Sequence, residues 1–223
     1  MIKISDIKVE RLYSMGDDLM VINCARVTLD KWHDQFEKMS DTRLIKFLSR
    51  ENHWEPFAHP HMTLRVTAPI FVARQLQKHR VGFAWSEVSR RYVDYKPSYY
   101  LPELRRRAAG VKQGSMEEEV KSILDSDGFE IAGNELVKRM FSLSDQCYER
   151  LLESDVAPEV ARSVLPQSMM TTWIWTGSLI GFIRVCTLRL DPHAQKETQI
   201  VAQGIYGFAR ELFPISVDAW LKK

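Results

Sequence analysis

Residues 74–92 read Arg-Gln-Leu-Gln-Lys-His-Arg-Val-Gly-Phe-Ala-Trp-Ser-Glu-Val-Ser-Arg-Arg-Tyr. Arg74, Lys78, Arg80, Arg90 and Arg91 are matched here by one acid, Glu87. The stretch is too polar for a core and too ordered in type for a solvated charge run. A local excess of guanidinium and ammonium suits a polyanion, most simply phosphate, which takes paired hydrogen bonds from an arginine fork. The hydroxyls of Ser86 and Ser89 and the backbone around Gly82 supply neutral donors for an oxyanion cradle.

Other chemistries are poorly served. The chain has no G-x-S-x-G elbow, Walker loop, C-x-x-C, H-E-x-x-H or G-x-G-x-x-G, so no dinucleotide would be held by a Rossmann fingerprint. His53, His59 and His61 cluster, but their Pro and Phe flanks and the lack of nearby acids argue against a metal site. Cys24, Cys147 and Cys186 have no paired metal spacing and suit a reducing compartment. Cys186 falls on an apolar stripe with Phe182 and Ile183 and reads as a small buried hydrophobe.

At 223 residues, 45% hydrophobic and 27% charged, the chain has an ordinary globular composition. A net charge of +2 keeps the basic signal local and argues against general nucleic-acid binding. No apolar run approaches bilayer length, and the first residues lack a signal-peptide core. The expectation is a soluble cytoplasmic protein in one domain, residues 1–223, with about 104–128 as a surface excursion.

The elements that must hold the basic stretch can be read from periodicity. Ile2, Ile4, Ile7 and Val9 suggest a first strand, and Met20–Cys24 is a second apolar run. Thr42–Ser49 reads as a short helix capped by Asp41. Met62, Leu64 and Val66 alternate with Thr63, Arg65 and Thr67, a strand with one buried face. Pro69 suits the first turn of a helix running to Lys78, which would put Arg74 and Lys78 on one face. An irregular segment follows, then a basic stretch at 104–113 whose Arg105-Arg106-Arg107 reads as a solvated face. Residues 130–152 suggest a long amphipathic helix with Leu136, Met140, Leu143, Cys147 and Leu151 as its stripe. Pro158 opens a helix carrying Arg162. Met169–Trp175 reads as a strand, and Ser178 starts a helix through Leu190. Asp191-Pro192 ends that helix and caps a last one, with Ile200, Ile205, Phe208 and Leu212 on its buried side. The pattern is α+β, mixed helices with a small antiparallel sheet.

Lys78-His79-Arg80, then eight residues, then Ser89 and Arg91-Tyr92, resembles the Arg-His-Arg…Ser signature of flavin-dependent thymidylate synthases. The blocks at 53–59, 68–75, 160–166 and 188–195 are similar to that family's other blocks, in its order. The resemblance implies reductive methylation of dUMP to dTMP by a homotetramer. Methylenetetrahydrofolate would donate the carbon, and FAD reduced by NADPH the hydride. It places Glu55, Lys78, His79, Arg80, Val81, Glu87, Ser178, Arg184 and His193 at the flavin. It places Gln75, Leu76, Gln77, Lys78, Glu87, Val88, Ser89, Arg90, Arg91, Arg162 and Arg189 at dUMP, with the serine and arginines on its phosphate.

The resemblance makes Arg189 the catalytic residue. Uracil C5 must act as a carbon nucleophile, which needs electron density pushed in from the N3–C4–O4 side. A permanently protonated arginine cannot take that proton, but it can stabilise the anionic or enolate-like ring. No enzyme thiol is then required. The chain departs from the family at Lys78 (arginine is usual), at Glu55 (a hydroxyl is usual), at Arg90 (glycine is common) and at Ser178–Ile180. Two further readings compete. A diverged relative would modify C5 of another pyrimidine nucleotide, for example by hydroxymethylation. An RNA-binding module would interleave the arginines with Tyr92, Tyr95, Tyr99 and Tyr100.

Overall fold

The alternation at Met62, Leu64 and Val66 does produce a strand, β3 (His61–Pro69), with those three side chains fully buried. The computed structural model describes residues 2–110 and 114–222. β3 is central in a four-stranded sheet ordered β2 (Lys8–Met15), β3, β10 (Met170–Ser178) and β4 (Phe83–Glu87). Thr63 bonds Thr176 at 3.0 Å and Thr67 bonds Thr172 at 2.9 Å. Four residues forward on one strand match four back on the other, so β3 and β10 run antiparallel.

The chain divides into two compact units. The first comprises Met1–Ile7, Thr67–Leu76 and Glu87–Thr172. In it β1 (Lys3–Ile4) pairs in parallel with β5 (Ser98–Tyr99). Helix α3 (Ile70–Leu76) and the long α4 (Gly133–Glu153) supply the bulk, with a short α5 (Pro158–Ala161) beside α4. Two antiparallel hairpins complete the unit, β6 (Arg105–Arg107) with β7 (Ser115–Glu119) and β8 (Ser122–Leu124) with β9 (Glu130–Ala132).

The second unit comprises Lys8–Val66, Gln77–Ser86 and Trp173–Lys223. It holds α1 (Asp18–Arg26), α2 (Lys38–Arg50), α6 (Leu179–Arg189), α7 (Lys196–Leu212) and α8 (Pro214–Leu221). Asp18 joins distant parts of it: Ile215 N–H donates to one carboxylate oxygen at 2.9 Å, and Ser216 N–H and Oγ–H to the other at 3.0 and 2.5 Å. The acid thus satisfies donors at the start of α8.

Several expectations are corrected. The first strand is broken into β1 and β2, because its two parts pair in different sheets, β1 with β5 and β2 with β3. Met20–Cys24 is helical, its start fixed by Asp17, whose carboxylate accepts from Met20 N–H at 3.0 Å. Asp41 is no N-cap: α2 begins at Lys38, and Asp41 lies buried in its first turn. Helix α3 stops at Leu76, so Lys78 sits in a turn and shares no helical face with Arg74. The segment expected to be irregular contains β4, and the excursion folds into hairpins in which Arg106 pairs Glu118 at 3.1 Å; residues 111–113 of it lie outside the described residues. The last helix breaks at Pro214 into α7 and α8.

The α4 stripe was also misassigned by periodicity. Leu143 is 69% exposed, and the buried face is Phe141, Asp145 and Tyr148. Asp145 looks like a solvent residue, yet it accepts the Tyr99 hydroxyl, and Lys96 Nζ stands 3.6 Å from its other oxygen. Tyr99 stacks on Phe141 at 4.7 Å, which draws that face inward. Burial and the adjacent Asp145 push the Tyr99 phenol well above its ordinary pKa.

Asp41 offers a stability test. Burial raises its pKa, but hydrogen bonds from Arg26 (2.6 Å) and Glu37 N–H (2.8 Å) and the Arg26 charge prevail and hold it below the usual carboxylate value. Its contribution is therefore complete above the unfolded value of ~3.9 and disappears as pH falls through the lower folded one. Asp41→Ala should cost ~3 kcal/mol by chemical denaturation at neutral pH, because it strands a buried guanidinium. Asp41→Asn should lose the parent's extra acid sensitivity below about pH 4.

Candidate active site

The second unit places the signature through an aromatic clamp. Trp173 and Trp175, two apart on β10, lie on one face of the strand and are buried. Trp85 of β4 stacks on Trp173 with centroids 4.5 Å apart and planes 16° from parallel. Phe83 meets Trp175 at 5.0 Å and Phe182 of α6 edge-on at 5.0 Å. Phe83 fits only because Gly177 and Gly181 lack side chains: a Cβ would stand 2.3 and 3.0 Å from its ring. Such pairs add about 0.5–1.5 kcal/mol each beyond area burial, so β4 is firmly registered on β10.

That registration fixes the loop before β4. Gly82 takes a positive φ of 77° there, and a Cβ on it would lie 3.7 Å from Ser178 Oγ, an ordinary contact. Its backbone conformation, rather than crowding, calls for glycine. Ser178 caps α6, its hydroxyl accepting from Gly181 N–H at 3.3 Å.

Of the flavin candidates in this unit, Lys78, Arg80, Arg184 and His193 are exposed, as is Glu55 at the head of a short 3-10 helix (Glu55–Ala58). Val81 is 85% exposed, an unusual position for an apolar residue. Gln77 is exposed beside Lys78. His79 is half-buried, and its Nε2 accepts from Arg189 Nε–H at 3.1 Å. Burial, then the Arg189 charge, lowers the His79 pKa, so the ring is neutral. Arg189 occupies the last turn of α6. Its partner is His79, not Asp191, whose carboxylate accepts from His193 N–H at 2.7 Å.

The first unit holds the other candidates. Gln75 is half-buried, but Leu76 is fully buried, so only its backbone is available to a ligand. Glu87 accepts from Thr171 Oγ–H at 2.9 Å, and exposed Val88 donates its N–H to Thr172 O at 2.9 Å. Ser89 builds a turn, its hydroxyl accepting from Arg91 N–H at 3.3 Å and its carbonyl from Tyr92 N–H at 3.0 Å. Arg90 departs from the expectation of a phosphate ligand. Only 6% exposed, it donates to Tyr95 O and lies 4.6 Å over the Tyr95 ring. It staples the turn. Arg91 and Arg162 are exposed and meet at Glu159: Arg91 Nε is 3.2 Å from its carboxylate, and Arg162 Nε–H donates to its carbonyl at 3.3 Å.

The sequence reading missed Glu159 and the clamp. The first had a signal, an acid just after Pro158 in a helical first turn; the second needed the pairing of two strands remote in sequence. Cys186 is 1% exposed, and burial pushes its thiol up to about 12, so it is no ready thiolate. Among the described residues no group of three or more His, Cys, Asp or Glu side chains could hold a metal.

The sequence profile described as Thymidylate synthase complementing protein (Thy1) matches residues 12–215. The chain belongs to the Thy1 family. A flavin-dependent thymidylate synthase of Thermosipho africanus is 36% identical over 209 residues, 93% of this chain and 88% of that protein. Another, from Thermosipho melanesiensis, is 37% identical over 209 residues, 93% and 87% of the two chains. Among solved structures, a UMP/dUMP methylase, PolB, from Streptomyces cacaoi bound with 5-Br dUMP superposes with a TM-score of 0.82. It is 28% identical, with 100% of this chain and 97% of that one covered. The Thy1 match contains every candidate from Glu55 to His193 and the whole clamp.

The Thy1 clamp predicts a specific coupling. Gly177→Ala should destabilise the protein by ~1–3 kcal/mol, the range for overpacking a filled site, with altered tryptophan fluorescence. Gly177→Ala with Phe83→Leu should recover part of that loss. Additive losses in denaturant melts would mean that Phe83 does not fill the glycine notch.

Proposed function

We propose that this Thy1 member is a flavin-dependent thymidylate synthase, converting dUMP to dTMP as one catalytic domain. Methylenetetrahydrofolate donates the one-carbon unit, and FAD, reduced by NADPH, supplies the hydride that turns a methylene into a methyl group. The observation that carries the reading is Arg189, whose two terminal guanidinium nitrogens have no partner among the described residues while its Nε is held by His79.

The residues fit a flavin dinucleotide by the chemistry of their donors. Lys78, Arg80 and Arg184 present exposed cations for a diphosphate, and Gly82 brings open backbone beside Ser178. Glu55, His79, Val81, Glu87 and His193 complete that set in the proposal. Arg189 stabilises charge developing on the N3–C4–O4 edge of uracil, drawing density toward C5. Gln75, Leu76 through its backbone, Gln77, Lys78, Glu87 and Val88 serve the nucleotide, while Ser89, Arg91 and Arg162 take its phosphate. Arg90 supports them from within the turn. With Cys186 buried, the ring is activated by field rather than by thiol addition.

In this proposal the chain assembles as a homotetramer, as the family resemblance implies, with Met140 and Leu143 of α4 exposed and available to a subunit contact. No helix among the described residues is long and apolar enough to cross a membrane, and a cytoplasmic location accords with the nucleotide chemistry. A second reading, action on UMP, is favoured by the similar Streptomyces cacaoi methylase also solved with 5-Br UMP.

The deciding experiment reconstitutes the protein with FAD, supplies NADPH and methylenetetrahydrofolate, and follows dUMP and UMP to methylated products by mass. Absence of a flavin spectrum with excess FAD would end the reading, and a product from UMP alone would favour the second. Arg189→Lys keeps the charge but loses the planar fork. It should lower product formation by ~2 kcal/mol or more of transition-state stabilisation, with flavin reduction little changed. Lys78→Ala should weaken FAD or dUMP binding by ~1.5–3 kcal/mol in calorimetric titrations. Unchanged affinity for both would place Lys78 outside the site.

A further inference from the structure

Arg189 ends a helix and carries a long side chain, so something must fix the plane of its guanidinium before it can recognise a flat ring. Among the described residues its one partner is the His79 ring, 3.1 Å from Nε. Engaging Nε holds the planar fork from behind and leaves both terminal nitrogens open.

We propose that His79 is the positioning residue for Arg189, a neutral acceptor that orients the guanidinium without quenching its charge. This rests on the reading of Arg189 as the group facing uracil. A carboxylate at the same place would hold the arginine as well, but its negative charge would cancel much of the field that the pyrimidine should feel. An imidazole with its proton on Nδ1 offers a lone pair at Nε2 and no net charge. Protonation removes that lone pair and sets two cations against each other. Half-burial and the Arg189 charge both disfavour it. Of the charged groups nearby in sequence or on α6, only Arg189 shifts the imidazole; Lys78, Arg80, Arg184, Asp191 and His193 are exposed.

The test has a ligand-free part and a binding part. In nitrogen-detected NMR of the whole chain, His79 should show a lone-pair Nε2 at neutral pH and titrate below an ordinary histidine. Arg189→Met should move that midpoint upward. Separately, dUMP affinity is measured between about pH 5 and 8 for the parent and for His79→Gln, whose side-chain carbonyl accepts at a similar reach without titrating. Each pH unit below the imidazole midpoint should cost the parent about tenfold more affinity than the variant, because only the neutral ring holds the competent arginine. Ionisation of the nucleotide phosphate is common to both proteins and cancels.

An unmoved midpoint in Arg189→Met, or equal acid losses in parent and His79→Gln, would overturn the proposal. If His79→Gln does not fold, the Arg189→Met titration decides alone. A shifted imidazole in a protein that makes no dTMP would uphold the pair and sink the thymidylate reading. Active protein with an unshifted imidazole would do the reverse.

Discussion

The ring of Phe83 in the notch left by Gly177 and Gly181 is the contact on which the second unit's chemistry depends. It fastens β4 to β10 and to the first turn of α6 together, so one hydrophobic contact locates the signature loop and the helix that carries Arg184 and Arg189. Trp85 on Trp173 repeats the fastening two residues on. A polar loop of exposed cations has no cohesion of its own. Its precision is borrowed from aromatic packing at its C-terminal end.

Charge is handled differently in the first unit. Arg91 and Arg162 are gathered by Glu159, and Arg106 is met by Glu118. Arg90 is held by a carbonyl and the face of Tyr95 rather than by an acid. The basic excess counted along residues 74–92 is therefore partly spoken for inside the fold. An arriving phosphate would have to displace Glu159 from Arg91, an exposed pair whose strength is small and salt-dependent.

Much of this was legible in the chain itself. β3 and β10 could be read from their alternation, and α6 from the cap at Ser178 that starts it. The α+β class and the family followed from the same blocks. What stayed hidden depended on partners remote in sequence. Asp145 reads as solvent-facing until Tyr99 is placed against it, and Arg90 reads as a ligand until its turn closes over Tyr95. Asp41 looks like a cap because the sequence does not reveal Arg26 beneath it. Leu76 falls inside a functional block, yet it serves the core. Individual side-chain allegiances, unlike periodicities, are set by tertiary contact.

The bonds from Ile215 and Ser216 to Asp18 bear on the order in which the molecule can assemble. They join positions almost 200 residues apart in sequence. A nascent chain can form the α1 helix early, but it cannot satisfy a buried Asp18 until α8 has left the ribosome. Closing so long a loop carries an entropic cost that local helices do not, and folds rich in such contacts form slowly. Until then the apolar face of α1 has no finished core to join. The core of the second unit is thus expected to close only once α8 is available, later than its local helices form.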